Sequence, residues 1–279
     1  MIPVLVPFSQ KLKLFIPMVT IRGVLIDLSG TLHVGDEACE GAVAGLKKLR
    51  QSGIPFRFCT NTTNQSVAKL EKKLTKLGFE GHKNEIFTSL LACRNIVLSR
   101  GLRPLLFLED AALEDFHGIP TEEPNNAVVV GLSQTNFRYE MLNKAFRILI
   151  NDQNTPFIAI HKAKYFAEPD GLSLGPGPFI ESLEYASGVK PTVVGKPEKS
   201  FYELALQDMD LLNDANHVVM IGDDVANDLG SGAKELGLIR YLVKTGKYRT
   251  GDELREGGVD GLFENFGKAV DAIVDQLKK

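Results

Sequence analysis

Four small groups of polar residues in this sequence carry the side chains that phosphate chemistry needs. Each group directly follows an apolar run, and together the groups supply carboxylates, hydroxyls, an amide and an ammonium. Mg²⁺ prefers oxygen ligands such as carboxylates, while an ammonium and polar donors stabilise the charge of a phosphoryl group. The four groups are Asp27 with Ser29, Thr60 with Asn61, Lys196 within Gly195-Lys196-Pro197, and Asp223 with Asp224 and Asp228.

Asp27 is the candidate nucleophile of this set. It directly follows the apolar run of residues 24–26 and precedes a small turn that contains Gly30. A short, continuously apolar run is typical of a strand that is buried on both faces of a parallel sheet. Because open α/β sheets bind ligands beyond the carboxyl ends of their strands, Asp27 is predicted to face a ligand rather than bulk solvent.

Apolar runs alternate with amphipathic stretches along the chain, which predicts an α/β fold with a parallel sheet. Besides the run before Asp27, strands are predicted over residues 54–59, 105–108, 127–130, 157–160, 192–194, 217–221 and 238–243, and helices over 41–52, 67–77, 139–150 and 229–236. If the four strands that precede the polar groups are parallel neighbours, their carboxyl ends converge on one crevice. Taken singly, the acidic group could instead cap a helix, and Lys196 could lie in a surface turn.

The middle of the chain differs in texture from both ends. From about residue 95 to residue 191, Pro- and Gly-rich segments such as residues 175–178 interrupt the strands and helices. We therefore predict a second α/β domain at residues 95–191, inserted into a first domain made of residues 21–94 and 192–279. Residues 1–20 are predicted to be an N-terminal extension, because residues 18–22 look like the natural start of the first strand, and Lys11 and Lys13 interrupt any signal-peptide core before it.

The bulk composition excludes several classes of partner. Net charge is −3, with 32 basic against 35 acidic residues, so no charge excess attracts nucleic acid or an anionic membrane. No apolar run approaches the roughly 20 residues that span a bilayer. The three cysteines form neither a metal-ligand spacing nor an even disulfide set, which favours a reducing compartment and predicts a cytoplasmic protein.

The polar groups, taken in order, resemble the motifs of the haloacid dehalogenase (HAD) superfamily of hydrolases. The matching motifs are Asp-x-x-Gly-Thr, Thr-Asn, Gly-Lys-Pro and Gly-Asp-Asp-x-x-x-Asp, and the resemblance covers residues 21–265. The resemblance implies a Rossmann-like parallel-sheet core, with the insertion forming an α/β cap of the C2 type that closes over the crevice. It also implies a Mg²⁺-dependent phosphatase that acts on a small phosphorylated molecule, and a homodimer formed through the cap.

The resemblance assigns a role to each acidic residue. Asp27 would attack phosphorus and form an aspartyl-phosphate. Asp27 and Asp223 would bind Mg²⁺ by their side chains, with the backbone carbonyl of Ser29 as a third protein ligand. Asp224 and Asp228 would support these ligands without touching the metal.

The same resemblance places the other polar residues around the phosphoryl group. Thr60 and Asn61 would hold its oxygens, and Ser29 would lie beside it. Lys196 would orient Asp27, screen the charge of the phosphoryl group and so act with Asp27 as a catalytic residue.

Ser29 departs from the pattern, because most phosphatases of this superfamily carry an acid/base aspartate there. General acid/base catalysis is typically worth about 10²–10⁴-fold in rate, and a serine hydroxyl cannot replace a carboxylate at neutral pH. His33 is a candidate substitute base, although an ordinary loop histidine is the more common case. Two alternatives therefore stay open, a catalytically weakened binding or regulatory protein and a metal-independent haloacid dehalogenase. The acidic group around Asp223 argues against the second alternative, since a dehalogenase needs no metal.

Overall fold

The computed structural model describes residues 20–80, 82–168 and 171–277, so the predicted extension lies outside the described residues except for Thr20. The strands are β1 (Gly23–Ile26), β2 (His33–Val34), β3 (Glu37–Ala38), β4 (Phe56–Thr60), β5 (Ile86–Thr88), β6 (Pro104–Phe107), β7 (Ala127–Val130), β8 (Phe157–Ala159), β9 (Tyr165–Glu168), β10 (Gly171–Leu174), β11 (Thr192–Val193), β12 (Val218–Gly222), β13 (Ile239–Val243) and β14 (Gly261–Phe263). The helices are α1 (Ala42–Ser52), α2 (Val67–Lys76), α3 (Ser89–Ser99), α4 (Asp110–Leu113), α5 (Tyr139–Asn151), α6 (Gly177–Ser187), α7 (Lys199–Gln207), α8 (Ser231–Glu235) and α9 (Phe266–Gln276). None of the helices in this part of the chain is long and apolar enough to cross a membrane.

A six-stranded parallel sheet forms the larger layer, in the order β14-β13-β12-β1-β4-β5. β1 lies near the centre, where Ile26 is in register with Ile221 of β12 and with Phe58 of β4. All four residues of β1 are buried, as a continuously apolar strand requires when both faces of the sheet are covered. The predicted α/β fold with a parallel sheet is confirmed.

A second sheet has four parallel strands, in the order β11-β8-β7-β6. The strand before Lys196 belongs to this sheet, because Thr192 pairs with Ile158 and Val193 with Ala159. The condition that all four motif strands are neighbours in one sheet is therefore not met, because this strand lies in the other sheet. Two residues are too few to show by their own pattern which sheet they join, and only long-range hydrogen bonding decides it.

The second sheet begins and ends close to the predicted domain boundaries. It extends from Pro104 to Val193, while α3 runs through the predicted boundary at residues 94 and 95. The division of the chain into two domains at those residues stays a prediction.

Three apolar clusters hold the layers together. One cluster packs α1, α2 and α9 against the six-stranded sheet, and another packs α5 and α6 against the four-stranded sheet. The third cluster includes Leu25 of the first sheet and Val129 and Ile158 of the second, together with residues of α3 and α7. The two sheets are therefore joined through shared apolar packing.

The segment after Asp223 is less helical than its pattern predicts. The structure has only the short helix α8 there, although a longer helix was predicted over residues 229–236. The carboxylate of Asp224 accepts hydrogen bonds from the backbone N–H groups of Ala226 and Asn227, at 3.1 and 3.0 Å. This side-chain turn competes with helix formation and delays the start of α8.

Candidate active site

Three neighbouring strands of the six-stranded sheet deliver polar residues to the same edge. Asp27 follows β1, Asp223 follows β12, and Thr60 ends β4. The ladder continues past β1, since the N–H of Asp27 donates to the carbonyl of Ile221 at 2.9 Å. Asp27, Thr60 and Asp223 are all buried, so the carboxyl edge of the sheet holds these polar side chains away from bulk solvent.

Lys196 reaches this edge from the second sheet. Its ammonium donates to Asp27 Oδ1 at 2.5 Å, to Asp228 Oδ1 at 2.6 Å and to the backbone carbonyl of Cys59 at 2.9 Å. These three bonds use all three donors of the ammonium. Burial alone would lower the pKa of Lys196, but the charges of Asp228 and Asp27 raise it well above its usual range. The ammonium therefore stays charged and holds Asp27 in place.

Asp223 is held by the loop that follows β13. The N–H of Lys247 donates to Asp223 Oδ2 at 2.7 Å. The carboxylate is packed so closely against Gly30 and Gly246 that a Cβ on either glycine would overlap an oxygen of Asp223. Burial, and then the charges of Asp228 and Asp27, raise the pKa of Asp223 to about 8.

Asp224 and Asp228 lie just behind Asp223 in the chain and have different environments. Asp228 Oδ1 accepts from Lys196, and Asp228 Oδ2 accepts from the backbone N–H of Asp224 at 3.1 Å. Burial and the charge of Asp27 raise the pKa of Asp228 to about 6. For Asp224, burial opposes ionisation, but hydrogen bonds from Asn227 and the charge of Lys247 lower its pKa below the usual value.

The three buried carboxylates fit a divalent cation. Asp27, Asp223 and Asp228 each offer an oxygen, and these oxygens lie within 4.8 Å of one another. The buried ammonium of Lys196 pairs with two of these three carboxylates, those of Asp27 and Asp228, so the group carries an excess of negative charge. Burial is the main cause of the raised pKa values of Asp223 and Asp228, and the neighbouring carboxylates add to it; an oxygen-preferring cation such as Mg²⁺ would offset the negative charge.

The metal-free protein is expected to lose stability as the pH rises from about 4 to about 8. The folded-state pKa of Asp223, about 8, lies above its ordinary value of 3.8, so the folded state binds the proton more tightly. The stability that this proton contributes is complete below the ordinary value and is lost as the pH rises through the folded-state value. Thermal unfolding in EDTA at pH 5 and pH 8 measures the loss, and Mg²⁺ should raise the melting temperature more at pH 8.

Asp223→Asn is the control for this pH dependence. The variant should unfold at a higher temperature than the wild type at pH 8 in EDTA, by the equivalent of about 1–3 kcal/mol, since it removes one of the crowded carboxylates. It should also lose most of the extra stabilisation by Mg²⁺. Parallel pH profiles for the two proteins would contradict the assignment.

Thr60 and Asn61 occupy the loop after β4 and have local partners. Thr60 Oγ1 lies 2.9 Å from Thr62 Oγ1 and accepts from the N–H of Thr62 at 3.2 Å. Asn61 bonds the backbone of Lys196 at both ends, donating from Nδ2 to its carbonyl at 2.9 Å and accepting at Oδ1 from its N–H at 3.0 Å. The side chain of Asn61 therefore positions Lys196.

Ser29 is exposed, although the rest of the turn after β1 is buried, and it brings no carboxylate to the site. Thr31 lies on the other side of this turn, with Oγ1 3.3 Å from Asp27 Oδ2. His33 is buried, and its Nδ1 donates to the carbonyl of Gly35 at 3.0 Å. Burial, together with the charge of Lys73, lowers the pKa of His33, which weakens it as a base.

The loop of residues 244–248 is the part of the site that the sequence reasoning missed. Besides the bond from Lys247 to Asp223, Thr245 Oγ1 donates to the carbonyl of Gly30 at 2.5 Å. A signal was present, since Thr245-Gly246-Lys247 is a polar, Gly-containing group after a predicted strand.

Comparison with known proteins identifies the family. Residues 24–119 match the model of the haloacid dehalogenase-like hydrolases, and residues 193–278 match a HAD-hydrolase-like model. Haloacid dehalogenase-like hydrolase domain-containing protein 2 of Rattus norvegicus is 48% identical over 258 residues, which cover 92% of this chain and 97% of the relative. The chain belongs to the haloacid dehalogenase-like hydrolases, as the motifs predict.

A second named relative has a phosphatase activity in its name. Phospholysine phosphohistidine inorganic pyrophosphate phosphatase of Homo sapiens is 38% identical over 264 residues, which cover 93% of this chain and 96% of the relative. Two segments of the sequence indicate a likeness to this protein and to haloacid dehalogenase-like hydrolase domain-containing protein 2. They are Asp-Leu-Ser-Gly-Thr-Leu at residues 27–32 and the segment of residues 160–165. The comparison confirms that likeness.

Two solved structures with the same fold are named as phosphatases. The 4-nitrophenylphosphatase of Thermotoga maritima has a TM-score of 0.82 and 25% identity, covering 91% of this chain and 97% of its own. The p-nitrophenyl phosphatase of Archaeoglobus fulgidus has a TM-score of 0.82 and 26% identity, covering 91% and 99%. These relatives confirm the predicted Rossmann-like α/β fold and the predicted enzyme class, a phosphatase of the HAD superfamily.

Proposed function

We propose that this protein is a Mg²⁺-dependent phosphatase that forms an aspartyl-phosphate on Asp27 and hydrolyses a small phosphorylated molecule. The observation that carries the proposal is the buried group in which the ammonium of Lys196 bridges Asp27 and Asp228, with Asp223 beside them. The lysine holds the carboxylate of Asp27 in place, and the surplus negative charge of the group can bind a metal ion. Such an arrangement suits attack on a phosphoryl group that binds together with the metal ion.

The reaction proceeds in two displacements at phosphorus. In the first, a carboxylate oxygen of Asp27 forms a bond to phosphorus, and the bond to the leaving oxygen breaks with its electron pair on the leaving group. In the second, water attacks phosphorus and the bond to Asp27 breaks, which releases inorganic phosphate and restores the carboxylate. Lys196 keeps Asp27 oriented in both steps.

The residues around Asp27 have separate tasks in this scheme. Asp27, Asp223 and the backbone carbonyl of Ser29 would hold Mg²⁺, which supplies positive charge near the phosphoryl oxygens when bound. Asp228 keeps Lys196 in place, and Asp224 keeps in place the segment that follows Asp223 in the chain.

Thr60 and Asn61 stand at the phosphoryl side of the site. The hydroxyl of Thr60 lies at the end of β4, and the backbone N–H of Asn61 follows it in the same loop. The side chain of Asn61 is committed to Lys196, so its backbone is the part that we assign to the phosphoryl oxygens.

The segment of residues 95–191 forms a C2-type cap in this proposal. The carboxyl ends of β7 and β8 lie against the loop after β4, through a bond from the N–H of Leu132 to Thr63 and a contact between Thr63 and His161. A cap in this position excludes water and favours a small substrate over a folded phosphoprotein.

Two further expectations concern the whole protein. A homodimer through the cap would use exposed apolar residues of the segment 127–150, of which Tyr139 is 77% and Ile150 44% exposed.

Cys39, Cys59 and Cys93 form no disulfide bond, which agrees with a cytoplasmic location.

Because Ser29 stands where an acid/base aspartate is usual, we expect the rate to depend strongly on the pKa of the leaving group. Without a carboxylate to protonate it, an alkyl leaving group should react slowly, and kcat/KM for an aryl phosphate should exceed that for an alkyl phosphate by about 10²-fold or more. A series of aryl phosphates measures this, and log kcat/KM should fall as the pKa of the leaving group rises. Because kcat/KM reports the first displacement, slow hydrolysis of the aspartyl-phosphate does not mask the trend.

Two variants control this prediction. Ser29→Ala should keep the dependence on the leaving group, because the hydroxyl does not protonate it. Ser29→Asp should reduce the dependence, because the carboxylic acid can do so. A flat dependence in the wild type would show that another group supplies the proton.

Release of phosphate from p-nitrophenyl phosphate, in Mg²⁺ and in EDTA, tests the proposed function. Release that requires Mg²⁺ supports it. The absence of release in Mg²⁺ would favour a binding or regulatory protein. Halide release from a 2-haloacid in EDTA would favour a dehalogenase.

A further inference from the structure

Thr63 is buried where the loop after β4 meets the second sheet. Its exposed fraction is 2%, and that of His161, which follows β8, is 8%. Thr63 Oγ1 lies 3.2 Å from His161 Nε2, and it accepts a hydrogen bond from the N–H of Leu132 at 3.1 Å. One hydroxyl thus joins the first sheet's loop to two segments of the second sheet.

Both nitrogens of the His161 ring have partners. The N–H of Ala163 donates to Nδ1 at 3.4 Å, so Nδ1 acts as the acceptor. The ring proton then resides on Nε2, which donates to Thr63 Oγ1. Burial, with the charge of Lys247, lowers the pKa of His161 to about 4, so the ring is neutral at physiological pH. With neither a free nitrogen nor a charge, His161 is suited to hold protein groups rather than a phosphorylated substrate.

The junction is connected to the catalytic lysine from both sides. On one side, Asn61, two residues before Thr63, bonds the backbone of Lys196 twice. On the other side, the residue before His161 accepts at its carbonyl from the N–H of Gly195 at 2.8 Å. A Cβ on Gly195 would lie 2.5 Å from Asn61 Oδ1, so the segments also pack tightly there.

We propose that Thr63 and His161 are positioning residues, which hold Lys196 in place for phosphoryl transfer. This proposal rests on the proposed function. Their contact joins the second sheet to the loop after β4. That loop bonds the backbone of Lys196 through Asn61, and the residue before Lys196 bonds the second sheet again, so the contacts form a closed ring. The ring holds the backbone of Lys196 at the distance from which its ammonium reaches Asp27. A displacement of about 1 Å at such a position can cost about 10²-fold in rate.

The test compares kcat and KM for p-nitrophenyl phosphate at saturating Mg²⁺ in matched variants. Thr63→Val keeps the shape of the side chain and removes the hydroxyl, and kcat should fall by about 10- to 100-fold with KM changed by less than about threefold. Thr63→Ser restores the hydroxyl and should stay within about threefold of the wild-type kcat. Thr75→Val, at an exposed position of α2, is the control and should match the wild type.

His161 is tested in the same assay. His161→Phe should lower kcat as Thr63→Val does, and His161→Gln, whose amide can donate to Thr63, should recover part of the loss. The double variant Thr63→Val/His161→Phe should lose no more than about threefold beyond either single variant, because both remove the same contact. Circular dichroism at the assay temperature shows whether each variant is folded, and the serine and glutamine variants keep the test available if the others unfold.

Three outcomes with an active wild-type protein would overturn the positioning role alone. If Thr63→Val has the same activity as the wild type, the contact between Thr63 and His161 does not control the position of Lys196. A rise in KM with kcat unchanged would show instead that these residues contact the substrate. Equal losses in Thr63→Ser and Thr63→Val would assign the effect to packing. An inactive wild-type protein would overturn the proposed function, and the positioning role with it.

Discussion

Asp27→Asn is expected to lower phosphate release on the order of 10⁴-fold or more, because an amide oxygen is a poor nucleophile for phosphorus. The substitution keeps the size of the side chain at the end of β1, so the fold should survive. It also removes one carboxylate from a crowded group, so the melting temperature in EDTA should be unchanged or higher. Steady-state release of p-nitrophenol and thermal unfolding measure the two effects.

The control for Asp27→Asn is the same exchange at a half-buried site on the surface, away from the active site. Asp271 pairs with Lys48 on the surface, and Asp271→Asn should leave the rate unchanged. Mass spectrometry of the acid-quenched wild type during turnover should find a phosphoryl group on Asp27 and on no other residue. Substantial turnover by Asp27→Asn, or a phosphoryl group elsewhere, would refute Asp27 as the nucleophile.

Lys196→Met should impair both stability and catalysis. The variant leaves the buried carboxylates of Asp27 and Asp228 without their cation, and breaking a buried ion pair in this way costs about 3–5 kcal/mol. The rate should fall by about 10²–10³-fold, because the ammonium no longer orients Asp27 or offsets negative charge. Chemical unfolding in EDTA and in Mg²⁺, with steady-state kinetics, measures both losses, and Mg²⁺ should restore part of the stability.

A second substitution separates the two effects of Lys196→Met. Lys196→Met/Asp228→Asn removes a carboxylate that the lost ammonium had neutralised, so it should regain stability without regaining activity. Lys199→Met is the control, since Lys199 is exposed and pairs only with Glu203 on the same helix among the contacts that the structure describes. Recovery of the rate in the double variant would show that Lys196 serves the fold alone.

Elements with a strong local pattern were predictable almost to the residue. β7 was predicted over residues 127–130 and lies there, and α5 was predicted over 139–150 and ends one residue later. A continuous apolar run bounded by polar residues, and an amphipathic stretch of three turns or more, leave few alternative structures. β5 and β14 were missed, because three residues contain too little periodicity, and the helices α3, α6, α7 and α9 were not predicted either.

The polar residues of the site were also readable from the sequence, but most of their contacts were not. The motif order pointed to Asp27, Lys196 and the acidic group near Asp223, since each stands directly after an apolar run. The partners of Asn61 and the contribution of Lys247 to Asp223 depend on side-chain and backbone contacts between distant segments. No local pattern encodes such pairs.

The sequence by itself determined the α/β class, the superfamily and the residue types of the site, because local periodicity and short motifs depend on neighbouring residues. Only the tertiary structure decided that the strand before Lys196 lies in the second sheet and that Lys196 still reaches Asp27, 169 positions away. It also decided that Thr63 and His161 meet between the sheets. Strand pairing and side-chain contact across such separations arise from the packing of the whole chain, in which burial and hydrogen-bond satisfaction select one arrangement among many.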